Sequence, residues 1–186
     1  MKLSIVKGDI TKIKADAIVN AAHNTLMGGG GVDGAIHRNA GVELLRECIQ
    51  LRNNQLPEGL PTGEAVATKA YNLPAKIIIH TVGPRAYSQN MDLLKNCYIN
   101  SLRIAEENNC ESIAFPAIST GAYGCPIEKS IEILKDVLTN INNPDNSNNL
   151  KLNVVKDIIL VLFKDEDLAI YQRELIENPK NIPFIV

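Results

Sequence analysis

With 186 residues, 45% of them hydrophobic, the chain is long enough for one domain whose core needs no disulfide or structural metal. Its 19 basic and 21 acidic residues are spread along the sequence and give a net charge of −2, which argues against a nucleic-acid partner, and its longest apolar run, residues 158–163, is too short to span a membrane. The four cysteines form no C-x-x-C pair and no secretory signal is visible, so we expect reduced core thiols in a cytoplasmic protein.

The hydrophobic pattern predicts strands that alternate with helices. Strands are expected at residues 3–6, 17–20, 64–70, 76–82, 112–116 and 154–163, the last of them central in the sheet. Helices are expected at residues 33–41, 43–52 and 91–108, from Pro126 onward, and at 165–178. This alternation indicates a layered α/β fold with a largely parallel sheet. We expect a single domain over residues 1–178 and a C-terminal tail at 179–186, with an exposed asparagine-rich loop at 140–153.

Three loops are expected to meet at one edge of that sheet, because ligands of such sheets bind beyond the carboxyl ends of the strands. They are the turn that contains Asp9, the run of four glycines at residues 28–31, and the loop at 119–124. Glycine lets a ligand approach the main chain closely, and a helix that begins directly after the glycines offers free N–H groups to an anion. A phosphate-bearing ligand is the first expectation.

Two common nucleotide motifs do not explain the glycines. Gly29, Gly31 and Gly34 have the spacing of the dinucleotide fingerprint, but residues 21–27 separate them from the preceding strand, and no acidic residue follows at the offset that grips a ribose. No Gly-Lys-Ser/Thr follows either, which excludes a P-loop. The preferred interpretation is that the two glycine loops hold opposite sides of a diphosphate through backbone N–H donors. For the loop at 119–124 an ordinary turn remains the alternative.

The polar residues near these loops each allow a structural and a functional interpretation. Asp33 is interpreted as a helix N-cap, as a carboxylate that orients a water beside a bound phosphate, or as both. Asp9 is either a turn residue or an acceptor for the amino group of a base. His37 and His80 are interpreted as structural, and the three histidines have no metal-ligand spacing. Ser119 lies outside any G-x-S-x-G elbow, which argues against a serine hydrolase.

Together these motifs resemble the macrodomains, in particular the branch of the MacroD proteins and the bacterial O-acetyl-ADP-ribose deacetylases. The matching segments are GDIT at 8–11, IVNAA at 18–22, LMGGGGVDGAIHR at 26–38, AG at 40–41, PTGE at 61–64, HTVGP at 80–84 and FPAISTGAYG at 115–124. They follow in order over nearly the whole chain. The resemblance implies a three-layer α/β/α sandwich around a mixed, largely parallel sheet.

The resemblance also implies ADP-ribose as the ligand and assigns residues to its parts. Asp9 would bind the adenine amino group, with the Ile10 backbone nearby and Phe163 stacked on the ring. The diphosphate and the distal ribose would be held by one loop of Gly28, Gly29, Gly30, Gly31 and Val32, and by a second of Ser119, Thr120, Gly121, Ala122 and Tyr123. Asn20 would support the ribose pocket. No metal or other cofactor is implied.

By the same resemblance, Asp33 would position the water that attacks an ester between ADP-ribose and a carboxylic acid. The substrates would be O-acetyl-ADP-ribose and proteins mono-ADP-ribosylated on glutamate or aspartate, bound by a monomer. The family pattern Asn-Ala-Ala-Asn is broken here, because His23 stands in the place of the second asparagine and Asn24 follows it. We expect ADP-ribose binding to persist while turnover, in which Asn20, His23 and Asp33 take part, is reduced or altered in its pH dependence. Asn24 would be a partial substitute for the missing amide if the backbone shifts. A non-catalytic ADP-ribose reader, a change at position 23 without effect, and a regulatory role in RNA processing remain as alternatives.

Overall fold

Six strands and five α-helices alternate in the computed structural model, which describes residues 1–143, 145, 150–178 and 182. The strands are β1 (Lys2–Lys7), β2 (Ala17–Ala21), β3 (Ala65–Lys69), β4 (Ile77–Thr81), β5 (Ser112–Phe115) and β6 (Asp157–Leu162). The helices are α1 (Gly31–Ala40), α2 (Val42–Asn54), α3 (Leu93–Glu107), α4 (Ile127–Thr139) and α5 (Asp165–Gln172); a 3-10 helix forms at Ile10–Lys12, and a π-helical turn at Arg173–Glu177 continues α5. Within these described ranges no helix is both long and apolar enough to cross a bilayer. Of the predicted tail at 179–186, all but residue 182 lies outside the described residues.

The strands form one sheet in the order β1-β6-β5-β2-β4-β3. All neighbours are parallel except β3, which runs antiparallel to β4, so the predicted mixed, largely parallel sheet is confirmed. Lys7 lies opposite Leu162 and Ala21 opposite Thr81, which brings the carboxyl ends of the parallel strands level. From β1 to β4 this edge spans four strand spacings, about 19 Å.

Side chains alternate between the two faces of the sheet and build one core on each. Ile18 and Ile78 face α1 and α2, whereas Val19 and Ile79 face α3, α4 and α5. The two helical layers and the sheet give the predicted three-layer sandwich.

The cysteines belong to these cores, as expected. All four are buried and free. Burial raises the pKa of Cys48 to about 12 and that of Cys97 to about 11, so these thiols stay protonated at neutral pH.

The last strand begins three residues later than the pattern predicts and lies beside the edge strand β1 rather than at the centre. The Glu106 carboxylate explains the late start. It accepts hydrogen bonds of 2.6 to 3.1 Å from the backbone N–H groups of Asn153, Val154 and Val155. Donors that are occupied in this way cannot join a ladder, so pairing starts at Asp157.

Two predicted helix starts are also corrected. Helix α1 begins at Gly31 with Gly30 as its N-cap, so Asp33 is the third helical residue and not the cap. Helix α4 begins at Ile127, because the extended ψ of 138° at Pro126 places that proline outside the helix as its cap. Gly41, with a φ of 95°, ends α1 as the sequence predicts.

Candidate functional site

A cavity of about 720 Å³ lies along the carboxyl edge of the sheet. Its walls are formed by residues 8–10 after β1, 29–33 before and within α1, 116–123 after β5, and 161–164 at the end of β6. The three loops that the sequence predicts to be neighbours therefore surround one cavity.

Asp9 and Phe163 line the β1 end of this cavity. Asp9 Oδ1 accepts hydrogen bonds from the hydroxyl of Thr11 at 2.7 Å and from its N–H at 3.0 Å, and these bonds, the hydroxyl bond first, lower the pKa of Asp9. The second carboxylate oxygen has Lys12 Nζ at 4.0 Å and can still accept a bond from a ligand. Phe163 is 79% exposed, and Ile10 beside Asp9 is buried. An exposed aromatic face next to a fixed acceptor suits a flat ring that carries an amino group.

The glycine loop turns through conformations that other residues rarely adopt. Gly28 has a φ of 86° and Gly31 a φ of 56°. Gly28 packs behind the loop against the ring of His37, whereas residues 29–32 form the cavity wall. Intrahelical bonding in α1 starts with the N–H of Gly34, which donates to the Gly30 carbonyl at 3.2 Å. The N–H groups of residues 31–33 therefore have no acceptor within the helix and suit an anion.

Gly34 allows α1 to pack closely against the backbone of the glycine loop. A Cβ at this position would overlap the carbonyl oxygen of Gly29, a backbone atom that cannot rotate away. We expect Gly34→Ala to lower the free energy of unfolding by about 1–3 kcal/mol. Gly30→Ala is the matched control, since its Cβ would meet nothing within 4 Å and its φ of −89° suits any residue. Urea denaturation without ligand measures both, and equal stabilities would contradict the overlap.

The loop at 116–124 faces the glycine loop across the cavity. Hydrogen bonds of 2.9 Å close it, from Gly124 N–H to Gly121 O and from Cys125 N–H to Ser119 O. Thr120 Oγ1 donates to the Ala117 carbonyl at 3.0 Å. In the part of the chain that the structure describes, the N–H groups of residues 121–123 have no acceptor. Two sets of N–H groups without acceptors thus belong to loops that line the same cavity, which is the arrangement expected for a diphosphate.

The second loop packs against Gly83, two residues after the end of β4. Ser119 has a φ of 65° and its buried hydroxyl has no partner among the described residues. A Cβ at Gly83 would overlap that hydroxyl. The missing side chain of Gly83 thus gives Ser119 and Ile118 the room to pack against this segment.

Asp33 lies on the cavity wall but is only 4% exposed. Its Oδ1 accepts a hydrogen bond from Asn20 Nδ2 at 2.8 Å, and its Oδ2 accepts one from the His23 N–H at 3.1 Å. Asn20 is fully buried behind Asp33 and does not form part of the cavity wall. The predicted catalytic residues are therefore brought together, with Asn20 fixing the carboxylate from behind.

His80, which the sequence analysis interprets as structural, extends this network. Its Nδ1 lies 3.1 Å from Asn20 Nδ2, and its Nε2 lies 2.9 Å from Thr68 Oγ1. Asn20 Nδ2 can only donate, so Nδ1 accepts and Nε2 carries the proton. Burial, assisted by the nearby His37, lowers the pKa of His80 to about 3. A neutral ring thus orients Asn20, which in turn orients Asp33.

Because His80 is buried in its neutral form, the free energy of unfolding depends on pH. Unfolded His80 gains a proton near pH 6.5 and folded His80 near pH 3, so its contribution to stability is complete above pH 6.5 and is lost as pH falls toward 3. Between pH 7 and pH 5 we expect a loss of about 2 kcal/mol that the His80→Gln variant lacks. Denaturant unfolding of both proteins at each pH measures this, with pH 7 to 8 as the interval where both should be flat. Identical slopes below pH 6.5 would contradict a neutral His80.

His37 lies one helical turn after Asp33, with Nε2 at 3.6 Å from Asp33 Oδ1. Burial lowers the pKa of His37, and the Asp33 charge opposes that shift. Its Nε2 is buried and has no hydrogen-bond partner in the described residues. The two rings of His37 and His80 therefore pack against the polar network from α1 and β4, with centroids 6.3 Å apart.

His23 contacts Asp33 through its backbone and not through its ring. Its backbone N–H donates to Asp33, whereas its ring turns back, with Nδ1 at 3.0 Å from Thr25 Oγ1 and 3.3 Å from the Thr25 backbone nitrogen. Because the Thr25 N–H donates, Nδ1 is an acceptor and the proton is on Nε2. Asn24, considered as a substitute for the missing amide, lines a separate small pocket instead.

A metal site is not formed by the acidic and histidine residues of this region. Among the described residues, no group of three or more His, Cys, Asp or Glu side chains is arranged to hold an ion. The donors that face the cavity are backbone N–H groups, which bind anions.

An α/β sandwich whose loops at the carboxyl edge of the sheet suit an anion is typical of proteins that bind phosphate-containing ligands. Comparison with known proteins identifies the family within that class. The Macro domain family model matches residues 19–134. The chain is 45% identical to a macro domain-containing protein of Chlorobaculum tepidum over 91% of this chain and 93% of that protein. It is 44% identical to the O-acetyl-ADP-ribose deacetylase of Escherichia coli over 95% of this chain and 97% of that protein.

Solved structures agree. An Oceanobacillus iheyensis macrodomain with ADP superposes with a TM-score of 0.86 at 44% identity, covering 97% of this chain and 93% of that one. A Trypanosoma brucei macrodomain in complex with ADP-ribose gives 0.77 at 35% identity, covering 92% of this chain and 68% of that one. The chain belongs to the macro domain family.

Proposed function

We propose that this protein binds ADP-ribose and hydrolyses the ester between ADP-ribose and a carboxylic acid. The substrates would be O-acetyl-ADP-ribose and proteins that carry mono-ADP-ribose on glutamate or aspartate. The proposal is supported by the E. coli relative named O-acetyl-ADP-ribose deacetylase and by the related macrodomains solved with ADP and with ADP-ribose.

The cavity suggests one direction for the ligand. The adenine would lie at the β1 end, with its amino group on Asp9 and its ring on Phe163. The diphosphate would lie between the N–H groups of residues 31–33 and those of residues 121–123. The distal ribose would then reach the β2 and β4 ends, where His23, Asp33 and Tyr123 line the wall. The edge of about 19 Å accommodates a ligand extended in this way.

The single observation that carries the hydrolytic proposal is the fixed Asp33 carboxylate on the cavity wall. Each oxygen is held by an N–H donor and keeps a lone pair for a water. A water bound there, and also held by a ligand phosphate, would attack the acyl carbon of the ester. The water oxygen bonds to that carbon while one water proton passes to Asp33. The bond between the carbon and the ribose oxygen then breaks, and that oxygen takes the proton from Asp33, which becomes a carboxylate again. The products are ADP-ribose and a carboxylic acid.

Hydrolysis and binding assays test the proposal directly. Purified protein is incubated with O-acetyl-ADP-ribose and, separately, with a glutamate-ADP-ribosylated protein, and released ADP-ribose is measured under single-turnover conditions. Calorimetry with ADP-ribose measures binding. Release from either substrate supports the hydrolase, absence of release contradicts it, and absence of binding as well overturns the proposal of an ADP-ribose ligand.

A non-catalytic reader of ADP-ribose is the second candidate, and the ring of His23 favours it. Turned toward Thr25, that ring offers the ribose one N–H donor and no carbonyl acceptor. Binding without release of ADP-ribose, unchanged in the Asp33→Ala variant, is the outcome expected of a reader.

A further inference from the structure

A second, smaller pocket continues the main cavity beyond its β4 end. It has a volume of about 240 Å³, and Gly83 and Tyr123 belong to the walls of both. Asn24 follows β2, Arg85 follows β4, and Thr62 precedes β3, so the pocket lies on the side of the sheet edge opposite to Asp9. A ligand placed with its adenine on Asp9 points its distal ribose, and whatever is esterified to that ribose, at this pocket.

The walls of this pocket are held by hydrogen bonds. Gln89 Oε1 accepts from the Arg85 N–H at 2.9 Å, and Gln89 Nε2 donates to Thr62 Oγ1 at 2.9 Å. The Ala86 N–H donates to the Tyr123 carbonyl at 2.8 Å and ties the segment after β4 to the second phosphate loop. Hydrogen bonds within the segment after β4, and from this segment to the loop at 116–124, therefore hold the shape of the pocket. Its volume equals that of about eight waters, enough for an acetyl group or an acidic side chain.

The charge of the pocket comes from Arg85. Arg85 is half-buried, and its guanidinium lies 5.2 Å from the centre of the Tyr123 ring, over its face. Within the described residues, no carboxylate pairs with this guanidinium and no Asp or Glu lines the pocket. A guanidinium without a carboxylate partner is well suited to bind one from a ligand.

We infer that this pocket is the subsite for the acyl group of the substrate, with Arg85 binding the ester carbonyl and then the carboxylate that hydrolysis releases. The inference rests on the proposed function. The physical reason is electrostatic. The product carboxylate would form between Asp33 and the diphosphate, and both negative groups repel it. Arg85 supplies a positive charge in the pocket beyond the distal ribose. The same subsite takes acetate or a glutamate or aspartate side chain of a modified protein.

The test compares ester hydrolysis with ADP-ribose binding in Arg85→Met, which keeps an unbranched apolar stem and removes the charged guanidinium. We expect kcat/KM for O-acetyl-ADP-ribose and for a glutamate-ADP-ribosylated protein to fall about tenfold or more. The Kd for ADP-ribose should change less than twofold, because ADP-ribose has no acyl group. Arg85→Lys should recover part of the rate. Arg46→Gln, a change of the same charge on the exposed face of α2, is the matched control.

Three results would overturn the inference: an unchanged kcat/KM, an equal loss in kcat/KM and ADP-ribose affinity, or the same loss in Arg46→Gln. An inactive wild-type protein would contradict the proposed hydrolase, and the subsite is then tested by binding alone. Tighter binding of a glutamyl-ADP-ribosylated peptide than of ADP-ribose, lost in Arg85→Met, supports the subsite in that case. Equal binding of both ligands by the wild-type protein overturns it.

Discussion

The Asp33→Asn variant is expected to lose a hundredfold or more in ester hydrolysis while its Kd for ADP-ribose stays within about threefold. The amide keeps the size of the carboxylate but has lost the charge that orients the water and accepts its proton. The N–H groups of residues 31–33 belong to the backbone and remain available to the diphosphate. Single-turnover release of ADP-ribose and calorimetry measure the two quantities.

Asp167 offers a matched control for this experiment. It lines the same cavity but lies in the first turn of α5, beside the end of β6, where the adenine is expected. Asp167→Asn removes an equal charge from the cavity and should leave the hydrolytic rate within about twofold of the wild type. Equal losses in the two variants would show that the cavity's total charge, rather than the position of Asp33, governs turnover. Thermal unfolding confirms that both variants are folded.

The meeting of the two glycine-containing loops at one edge of the sheet could be predicted from the sequence because the signals are local. Four glycines before an amphipathic helix predict a close approach of the backbone to a ligand, and the order of strands and helices predicts that Asp9, the glycines and Tyr123 meet at one edge. The same local reasoning placed Asp33 at the helix start, although its role as N-cap was wrong. A run of glycines offers several possible starts, and the structure uses Gly30 and Gly31.

Other features depend on strand register, which a single sequence does not reveal. Asn20 is opposite His80 only because β2 and β4 are neighbours in a parallel register, and nothing in the sequence places those strands together. Thr68 reaches the same ring from the antiparallel strand β3. The late start of β6 depends similarly on Glu106, which is distant in sequence from the N–H groups it binds. A role for Arg85 could not be predicted from the sequence, because it depends on the pocket that distant segments form around this residue.

The His23→Asn variant is expected to hydrolyse the ester at least about tenfold faster than the wild-type protein, with little change in its Kd for ADP-ribose. The backbone N–H of this residue binds Asp33 in either case, so the carboxylate stays in place. What changes is the side chain. The imidazole is held by Thr25 and offers the ribose a single N–H, whereas an amide offers a donor and an acceptor that can align the sugar with the water.

Rates measured from about pH 5 to pH 8 for the wild type, His23→Asn and one further variant distinguish this explanation from a general gain in activity. Thr25→Val gives an independent comparison, because it removes the hydroxyl partner of Nδ1 and leaves the Thr25 backbone N–H in place. It should alter turnover less than His23→Asn does, since the second bond still holds the ring. Equal rates for the wild type and His23→Asn across this pH range would mean that alignment of the ribose depends on Asp33 and the two phosphate loops alone.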